Sequence, residues 1–396
     1  MKRLKIAPRQ NWQSIVEAQG LPYHSAGGVY WQDDVYYSMT QQQADYIDDV
    51  TTSAYSMIHR LVRKMMSNSL ERVVIRKRMV DSGILPDAVE AVFENWDEIG
   101  QYKTRTSYGR FDLAFDKNMR LRMFEYNADT PVVLIETGYC QWEWLVDQFG
   151  DKVGDSVGQI NELYPELKEM FYSWKSQGIH DMVFTCDKGQ IGEVYEYEAS
   201  CLYLMEIAAE AGISGTFKFT EQLEVGNVKP IITVDGKLPG AVFKLYPTEW
   251  LVDDLHHNGW KNAADVLRVN NLIEEPFKLL MGGKWLLPEL WKEYGSDVFI
   301  PAWHNRNDCL NKKVVAKSYY GRIGMEVEVL QPGEQTTLQC PVIYQEFTES
   351  FEVDGWKPVL CSWVINGRSA GVGIREQQTE VTTDSCRFAP HVVELK

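Results

Sequence analysis

Hydrophobic residues recur at helical spacing in the first half of the chain. The clearest run begins after Thr40, whose hydroxyl can cap a helix, and its apolar positions are Ile47, Val50, Ala54, Met57, Ile58, Leu61, Val62 and Met65. The same spacing predicts a second helix over residues 86–98. It also predicts a helix over residues 160–174 that is interrupted near Pro165. Helices therefore precede and follow the strand-like stretch at 110–129.

Residues 182–219 follow a strand, helix, strand order. MVFTCD at 182–187 reads as a buried strand, residues 196–211 have helical spacing and end at Gly212, and GTFKF follows as a strand. This order predicts a βαβ unit. The loop DKGQIGE between its first strand and its helix lacks a phosphate-binding fingerprint such as Gly-x-Gly-x-x-Gly. We therefore expect the unit to serve architecture or substrate contacts.

The remainder of the chain changes from helices to strands. KPIITV and GAVFKLYP flank Asp235–Gly236 and predict a hairpin, and residues 262–294 look mostly helical with a break at Gly282–Gly283. The last third reads as strands, namely VVAKSYYGRIGMEVEVL, PVIYQEF and SWVINGRSAGVGIRE, and its Asn366–Gly367 pair is a strong hairpin signal. The pattern predicts an α+β chain with a strand-rich C-terminal lobe.

The stretch RFDLAFDKNMRLRMFEYNAD, which begins at Arg110, carries polar residues in pairs two positions apart. Side chains alternate along a strand, so Arg110 and Asp112 share one face. Glu125 and Asn127 likewise share one face of the next strand. A two-residue turn at Lys117–Asn118 would place Arg110 opposite Glu125, whereas a four-residue turn would place Asp112 opposite Glu125. Either register gathers all four polar groups on one face of the hairpin.

These polar groups suit a magnesium and phosphate site. Two carboxylates and an amide oxygen are hard ligands of the kind that Mg²⁺ takes, and Mg²⁺ completes its octahedron with water and phosphate oxygens. Arg110 beside them offers a planar, always-charged donor to a phosphate or a developing oxyanion. The alternative is a cross-strand salt bridge on a solvated sheet face, worth under ~1 kcal/mol.

Three later segments add signals for a nucleotide. In VVAKSYYGRIG, a strand ends at Lys317 and a loop with Gly321 and Gly324 can lay backbone N–H groups over phosphates. The strand PVIYQEF follows at a position typical of a hinge whose backbone groups bind the adenine edge. In AGVGIRE, Arg375 lies at a strand end after two glycines. An ordinary glycine turn, a core strand and a surface arginine are the plainer interpretations.

Composition and charge restrict the setting. The 396 residues are 44% apolar, enough for one large, multi-lobed globular unit. The net charge of −16 disfavours nucleic acid and anionic membranes, both of which reward clustered Lys and Arg. Seven single cysteines without a Cys-x-x-Cys motif indicate a reducing compartment, and no apolar run is long enough for a signal peptide or a membrane helix. We expect a cytoplasmic protein.

Four motifs in this order resemble the synthetase domain of glutathionylspermidine synthases. They are Gly-Arg-Phe-Asp at 109–112, Glu-Tyr-Asn-Ala-Asp at 125–129, Lys-Ser-Tyr-Tyr-Gly-Arg-Ile-Gly at 317–324 and Gly-Ile-Arg-Glu at 373–376. The resemblance covers nearly the whole chain. It implies an ATP-grasp fold, with a pre-ATP-grasp α/β lobe for metal and substrate over about residues 1–260 and a nucleotide lobe over 261–396.

The resemblance also implies roles for individual residues. Asp112, Glu125 and Asn127 match magnesium ligands for two Mg²⁺ ions, and Arg110 matches the arginine that stabilises the transferring phosphoryl group. The residues implied for ATP binding are Arg110, Asp112, Lys284, Lys317, Arg322 and Gly324 in the glycine-rich flap, Gln345 and Glu346 in the hinge, and Arg375.

The resemblance implies a carboxylate–amine ligase that joins its substrates through an acyl-phosphate and releases ADP. The acid would be a glutathione-like peptide and the amine a polyamine or another amine, with Thr130, Glu196 and Glu198 as candidate contacts. Small hydroxyl residues near glutathione in the family are replaced here by Thr130-Pro131-Val132-Val133. Because the chain begins at the synthetase region, we expect no amidase activity. A nucleotide-binding regulatory protein with residual ATPase, or a phosphotransferase, are the alternatives.

Overall fold

A computed structural model describes residues 1–25, 28–101, 108–188, 195–226, 230–295, 297–322, 324, 326–381 and 386–395. Its helices are α1 Trp12–Ala18, α2 Gln41–Met66, α3 Ser69–Asp81, α4 Pro86–Asn95, α5 Gln141–Phe149, α6 Leu163–Ser176, α7 Tyr195–Glu210, α8 Thr248–His257, α9 Asp265–Val269, α10 Leu279–Gly282 and α11 Leu286–Tyr294. Short π-helical turns extend α4 over Trp96–Gly100 and precede α5 over Glu136–Cys140.

The strands of these described residues are β1 Lys2–Lys5, β2 Val35–Thr40, β3 Tyr108–Phe115, β4 Leu121–Asn127, β5 Val157–Gly158, β6 Asp181–Cys186, β7 Ser214–Phe219, β8 Glu224–Val225, β9 Ile232–Thr233, β10 Ala241–Leu245, β11 Leu272–Ile273, β12 Ala302–Trp303, β13 Val314–Ser318, β14 Val327–Leu330, β15 Val342–Glu346, β16 Lys357–Ile365, β17 Arg368–Gln377, β18 Arg387–Ala389 and β19 His391–Glu394. They form sheets in the orders β1-β2-β19-β5, β11-β10-β6-β7, β12-β15-β13-β14, β18-β17-β16-β3-β4 and β8-β9.

Helix α2 begins as its sequence predicts and supports the central five-stranded sheet. The Thr40 hydroxyl accepts from the Gln43 N–H, and the Gln43 side chain accepts from the Thr40 N–H, which completes a capping box. One face of the helix is buried and packs on β16 and β17. A hydrogen bond of 2.7 Å joins Thr51 of this face to Ser362 of β16. The capped, amphipathic helix is therefore confirmed.

The central sheet places the first hairpin beside the last strands of the chain. Strands β16 and β17 are joined at Asn366–Gly367, both with positive φ, as a two-residue hairpin requires. Strand β3 pairs with β16, and β4 pairs with β3. This sheet therefore takes strands from both sides of residue 260, and the lobe boundary near that residue stays a prediction.

The βαβ unit is confirmed. The hairpin expected after it forms only as a tight turn, in which Val234 and Lys237 exchange both backbone hydrogen bonds around Asp235–Gly236. Strands β6 and β7 are parallel neighbours connected through α7, and residues 189–194 of the predicted loop lie outside the described residues. Strand β10 does not pair with β9; it joins β6 and β11 in the parallel sheet, and β9 pairs with β8. A strand that is buried on both faces shows no alternation of apolar and polar residues. The local sequence of β10 therefore could not predict which strand it pairs with.

Two helix predictions need smaller corrections. Helix α6 is not interrupted at Pro165; it begins at Leu163, so the proline lies in the first turn, where a missing N–H is tolerated. Residues 262–294 contain the short strand β11 between α9 and α10, and the helices do break at Gly282–Gly283. In the described part of the chain, no helix is both long and apolar enough to span a membrane.

Candidate active site

The β3–β4 hairpin places Asp112 opposite Glu125 and Arg110 opposite Asn127. This is the second of the two registers that the sequence allowed, but it arises differently. Near the turn, Phe115 pairs with Leu121, and a register shift beyond Leu113 leaves Phe124 as an extra residue in β4. Such a bulge is common beside active sites because it re-aims the side chains that follow it. It brings the two carboxylates directly opposite each other.

Arg110 and Asp112 form a buried ionic cluster with Arg375. Arg110 Nε and Nη2 donate to the two Asp112 oxygens at 2.8 and 3.2 Å, and Arg375 Nη2 donates to Asp112 Oδ2 at 2.7 Å. Arg110 is 4% exposed and Asp112 is 6% exposed. The solvated salt bridge and the surface arginine are therefore both wrong. One carboxylate holds two guanidinium groups side by side.

Glu125 is surrounded by positive charge. Lys284 Nζ lies 3.1 Å from Glu125 Oε2, and the Asn127 amide donates to Glu125 Oε1 at 3.3 Å. Burial alone would raise the pKa of Glu125, but the charges of Lys284 and Lys317 outweigh it and bring the pKa to about 2. The carboxylate is therefore ionised and available to cations or their complexes.

Lys317 lies on the same side, at the end of β13. Its Nζ donates to Phe124 O at 3.1 Å and to Gln345 Oε1 at 2.7 Å. Burial lowers the pKa of Lys317 to about 8, against the opposing charge of Glu125. The Gln345 amide in turn donates to Met123 O at 3.2 Å, so β13 and β15 are bound to β4 next to the bulge.

The loop after Lys317 reaches the same region. Lys284 Nζ donates to Gly321 O at 2.6 Å. Arg322 donates to Thr130 Oγ1 at 2.6 Å and to Glu249 at 2.9 Å. Gly324 has a φ of +68°, which favours glycine, and its neighbours 323 and 325 lie outside the described residues. The loop thus connects the two predicted lysines with Thr130.

Two predicted residues point elsewhere. The Glu346 carboxylate pairs with Lys312 at 3.0 Å, and the Glu346 N–H already donates to Pro301 O at 2.8 Å. Glu198 lines a separate cleft of about 1030 Å³, with Tyr139 and Trp142 among its other lining residues. Adjacent strand residues face opposite sides, so Gln345 joins the cluster and Glu346 does not.

A sequence model of the glutathionylspermidine synthase preATP-grasp family matches residues 3–394. The chain belongs to this family. The resemblance seen in the four motifs is therefore confirmed over nearly the full length.

Relatives in this family carry ligase names. A Haemophilus influenzae protein, provisionally named an acid–amine ligase, is 30% identical over 93% of this chain and 92% of its own length. The trypanothione synthetase of Crithidia fasciculata is 23% identical, and so is the bifunctional glutathionylspermidine synthetase/amidase of Escherichia coli. Each of these two matches covers 73% of this chain, which spans 47% and 49% of their respective lengths.

A solved structure with a similar fold supports the predicted architecture. The glutathione synthetase-like effector of Globodera pallida, in its apo form, aligns with 98% of both chains at a TM-score of 0.54 and 12% identity. The α+β, ATP-grasp-type fold that the sequence predicted is confirmed.

The three residues that the resemblance implies as magnesium ligands form a donor set that fits Mg²⁺. Asp112 and Glu125 face each other across the hairpin, and Asn127 adds an amide on the same side. No group of three His, Cys, Asp or Glu side chains gathers like a metal site among the residues that the structure describes. Two carboxylates and an amide suit an ion that keeps most of its water and phosphate ligands. A bound ion would share these carboxylates with the Arg and Lys side chains that now hold them.

Sequence reasoning gave no role to three buried acidic and basic residues near this cluster. Asp129 lies in a quoted motif, and its carboxylate holds Lys244 Nζ at 2.6 Å and the Thr248 N–H at 2.9 Å. Glu136 is fully buried, and its carboxyl accepts from the Tyr23 and Tyr30 hydroxyls. The sequence could have indicated Glu136, because its carboxylate lies inside the apolar run PVVLIETGYC. A charged group in such a run is expected to be buried, and a buried charge needs a partner or a function.

Proposed function

We propose that the protein is an ATP- and Mg²⁺-dependent carboxylate–amine ligase that forms an amide bond through an acyl-phosphate. One observation carries the proposal. Residues from four separated segments converge on the bulged hairpin as a buried to half-buried, charge-rich cluster: Arg110, Asp112, Glu125, Asn127, Lys284, Lys317, Gln345 and Arg375. The family match and the ligase names of the relatives support the reaction class.

The nucleotide would use the lysine side of the cluster. Lys284 and Lys317 converge on Glu125 and can meet phosphate oxygens, which attract ammonium groups as point charges. Arg322 and Gly324 in the loop over these lysines would cover the phosphates. Because the Glu346 N–H is engaged, adenine contacts at the hinge would come from other backbone groups of β15.

Asp112, Glu125 and Asn127 would hold the Mg²⁺ ions, of which the family implies two. When bound, Mg²⁺ neutralises charge on the phosphate oxygens during phosphoryl transfer. Arg110 and Arg375 would stabilise the negative charge that develops on the transferring group, because Asp112 already fixes both guanidinium groups in position.

The substrates would be a small carboxylic acid and an amine. A bare carboxylate is a poor electrophile, so its phosphorylation must precede attack by the amine. A glutathione-like peptide and a polyamine are the first candidates, on the names of the relatives. Thr130 lies beside Arg322, and Glu196 lies on the arginine side of the cluster, where each could contact a substrate.

The test is ADP release in the presence of ATP and Mg²⁺ over pooled acids and amines, with mass detection of the conjugate. Arg110→Ala should lower ADP release by roughly 100-fold or more, as expected for loss of a preorganised charge donor. Glu349→Gln is the matched control, because Glu349 pairs with Lys117 at the exposed far end of the same hairpin.

Three outcomes would count against the ligase. Unchanged turnover in Arg110→Ala would contradict the assignment of the site. Tight nucleotide binding without phosphate release for any acid and amine would favour the regulatory protein with residual ATPase. A phosphorylated product without amide would favour the phosphotransferase.

A further inference from the structure

The cleft lined by Glu198 lies apart from the charge-rich cluster. It has a volume of about 1030 Å³ and is enclosed by the end of α1, the π-helical turn before α5, the start of α6 and one face of α7. None of the described residues of the charge-rich cluster lines it. Pockets for small organic molecules have volumes of roughly 300–1,000 Å³, so the cleft has room for an extended ligand.

The lining of this cleft is strongly acidic. Among the residues that the structure describes, six lining residues are Glu and none is Lys or Arg. Glu17 pairs with His24 at 3.0 Å, and Glu210 pairs with Lys168 at 2.6 Å. Four carboxylates have no cationic partner within the described part of the chain, namely those of Glu143, Glu162, Glu198 and Glu206. Unpaired negative charge around a cleft attracts a cation.

Helix dipoles explain only half of these four unpaired carboxylates. Glu143 and Glu198 lie in the first turns of α5 and α7, where the helix dipole stabilises a negative charge. Glu162 occupies the N-cap position of α6, but its side chain accepts no hydrogen bond from the helix. Glu206 lies far from the first turn of α7. The local structure therefore gives Glu162 and Glu206 no role.

Three polar atoms of the lining are buried without a partner. Tyr203 is only 8% exposed, and its hydroxyl has no hydrogen-bond partner among the described residues. This hydroxyl lies against Gly138, where a Cβ would come within 2.9 Å of it. Gln19 Oε1 and Asn161 Oδ1 also lack a partner. A buried polar atom without a hydrogen bond is costly, so these three atoms indicate a ligand that supplies donors.

Aromatic rings form the other part of the walls. Tyr139, Trp142 and Tyr164 line the cleft and are among the most exposed large side chains of the described residues. The rings of Tyr139 and Tyr203 lie nearly parallel, with centroids 6.3 Å apart and planes at 16°. Exposed rings beside carboxylates can hold an ammonium group over their faces and pack against methylene groups.

A lysine at the edge of the cleft shows how this surface holds an ammonium group. Lys168 Nζ donates to Glu210 Oε2 at 2.6 Å and to the Tyr164 hydroxyl at 3.2 Å, and it lies 5.3 Å from the centre of the Tyr164 ring. On the same face of α7, Glu206 follows Tyr203 by three positions, so their side chains are neighbours. This second carboxylate and phenol have no lysine.

The carboxylates are too far apart to share one compact ion. Within the described ranges, no three His, Cys, Asp or Glu side chains gather as they would around a metal. The unpaired carboxylates come instead from α5, α7 and the residue before α6. A ligand that neutralises several of them must carry positive charges at intervals along its length. Between these charges it must be apolar, because it passes over aromatic rings.

We propose that the cleft is a binding site for a linear polyamine, an aliphatic chain that carries several ammonium groups. The ammonium groups would pair with the four unpaired carboxylates and donate to the Tyr203 hydroxyl. The methylene segments would pack on Tyr139 and Trp142. This site is separate from the cluster assigned to ATP and Mg²⁺, so the proposal goes beyond the ligase function and does not depend on it.

The first experiment is calorimetric titration of the full chain, without ATP or Mg²⁺, with two probes of equal charge. Spermidine carries its charges on a methylene chain, whereas hexaamminecobalt(III) is a compact ion without methylene groups. Spermidine should bind roughly tenfold more tightly or better, because only its methylene groups can bury apolar area on the rings. Equal or tighter binding of hexaamminecobalt(III) would overturn the assignment to a polyamine.

The second experiment locates the bound spermidine. Glu162→Gln/Glu206→Gln removes two carboxylates without a structural role and should weaken binding roughly tenfold. The matched control is Glu349→Gln/Glu352→Gln, which changes the net charge equally at two exposed carboxylates outside the cleft and should leave binding within about twofold.

Tyr203→Phe tests the buried end of the cleft. It keeps the ring and removes only the hydroxyl, so spermidine binding should weaken by about three- to fivefold. Urea unfolding of each variant checks that a loss of binding is not a loss of the folded state. Wild-type affinity in Tyr203→Phe would show that the ligand does not reach this hydroxyl and would overturn the site.

The remaining outcomes separate the cleft from other sources of binding. Equal weakening in the cleft variant and its matched control would assign the binding to the overall net charge of −16 and overturn the site. A loss in Glu125→Gln as large as in the cleft variant would place the amine at the charge-rich cluster, with the same consequence. Undetectable spermidine binding to the wild type would also refute the proposal. Loss confined to the cleft variants would support it.

Discussion

His391 should make the stability of this protein depend on pH below neutrality. Its ring is fully buried, Nε2 accepts from the Ile160 N–H at 2.9 Å, and Nδ1 faces Gln141 Oε1 at 3.1 Å. Gln141 also donates to Thr137 O and to Val372 O. The neutral imidazole thus supports both the turn that carries Glu136 and the strand that carries Arg375. Protonation would destroy the acceptor at Nε2.

The magnitude follows from the two pKa values. Burial lowers the pKa of His391 to about 3, against an ordinary value of about 6.5 in the unfolded chain. The unfolded state therefore binds the proton first as the pH falls, so stability is complete above pH 6.5 and declines towards pH 3. At about 1.4 kcal/mol per pH unit, this residue alone removes about 2 kcal/mol between pH 7 and 5.

The assay is urea unfolding of the wild type and of His391→Gln at pH 7 and pH 5. Glutamine keeps a side-chain oxygen for the Ile160 N–H and does not titrate, so any constant cost of the substitution cancels in the comparison. The free energy of unfolding should fall by about 2 kcal/mol more in the wild type than in the variant. Equal pH dependence in both proteins would refute the reasoning.

The site and the sheet allow three further predictions. Asp112→Asn should lower the free energy of unfolding by about 3–5 kcal/mol in urea, because it leaves two buried guanidinium groups without their carboxylate. Gly373→Ala should lower it by about 1–3 kcal/mol, because a Cβ there would lie 2.4 Å from Thr137 Oγ1. ATP affinity, measured by calorimetry, should fall as the pH rises through 8, because Lys317 has a pKa of about 8 and loses its charge, and Lys317→Met should remove that dependence.

Glu349→Gln is again the control for the unfolding measurements, since it removes an exposed carboxylate. A loss below about 1 kcal/mol for Asp112→Asn would show that the arginines do not depend on this carboxylate. A Gly373→Ala protein as stable as the wild type would mean that strand and turn separate easily. If ATP binding shows the same pH dependence in the wild type and in Lys317→Met, the titrating group is not Lys317.

Local features were predictable where one physical rule decides the outcome. The capped helix after Thr40, the hairpin at Asn366–Gly367 and the shared face of Arg110 and Asp112 each follow from a cap, a positive φ or the two-residue period of a strand. The fold class was also predictable, because the order and spacing of the family motifs can be read directly from the sequence.

The failures have a common cause. The sequence suggested that residues 240–247 form a hairpin with residues 229–234, but β10 pairs with β6, which lies far away along the chain. A buried strand shows no alternation that would identify its neighbour. The sequence around Pro165 was also insufficient. A proline interrupts the middle of a helix but is tolerated in its first turn, so its effect depends on where the helix begins.

The amino-acid sequence by itself determined the kinds of side chain available at the candidate site, their faces on each strand and the family to which the chain belongs. Only the tertiary structure decided which of them meet. It brought Arg375 to Asp112 across 263 positions, shifted the register at Phe124 and buried Glu136. Contacts between distant segments depend on how whole sheets pack, and that packing is a property of the complete chain rather than of any one stretch.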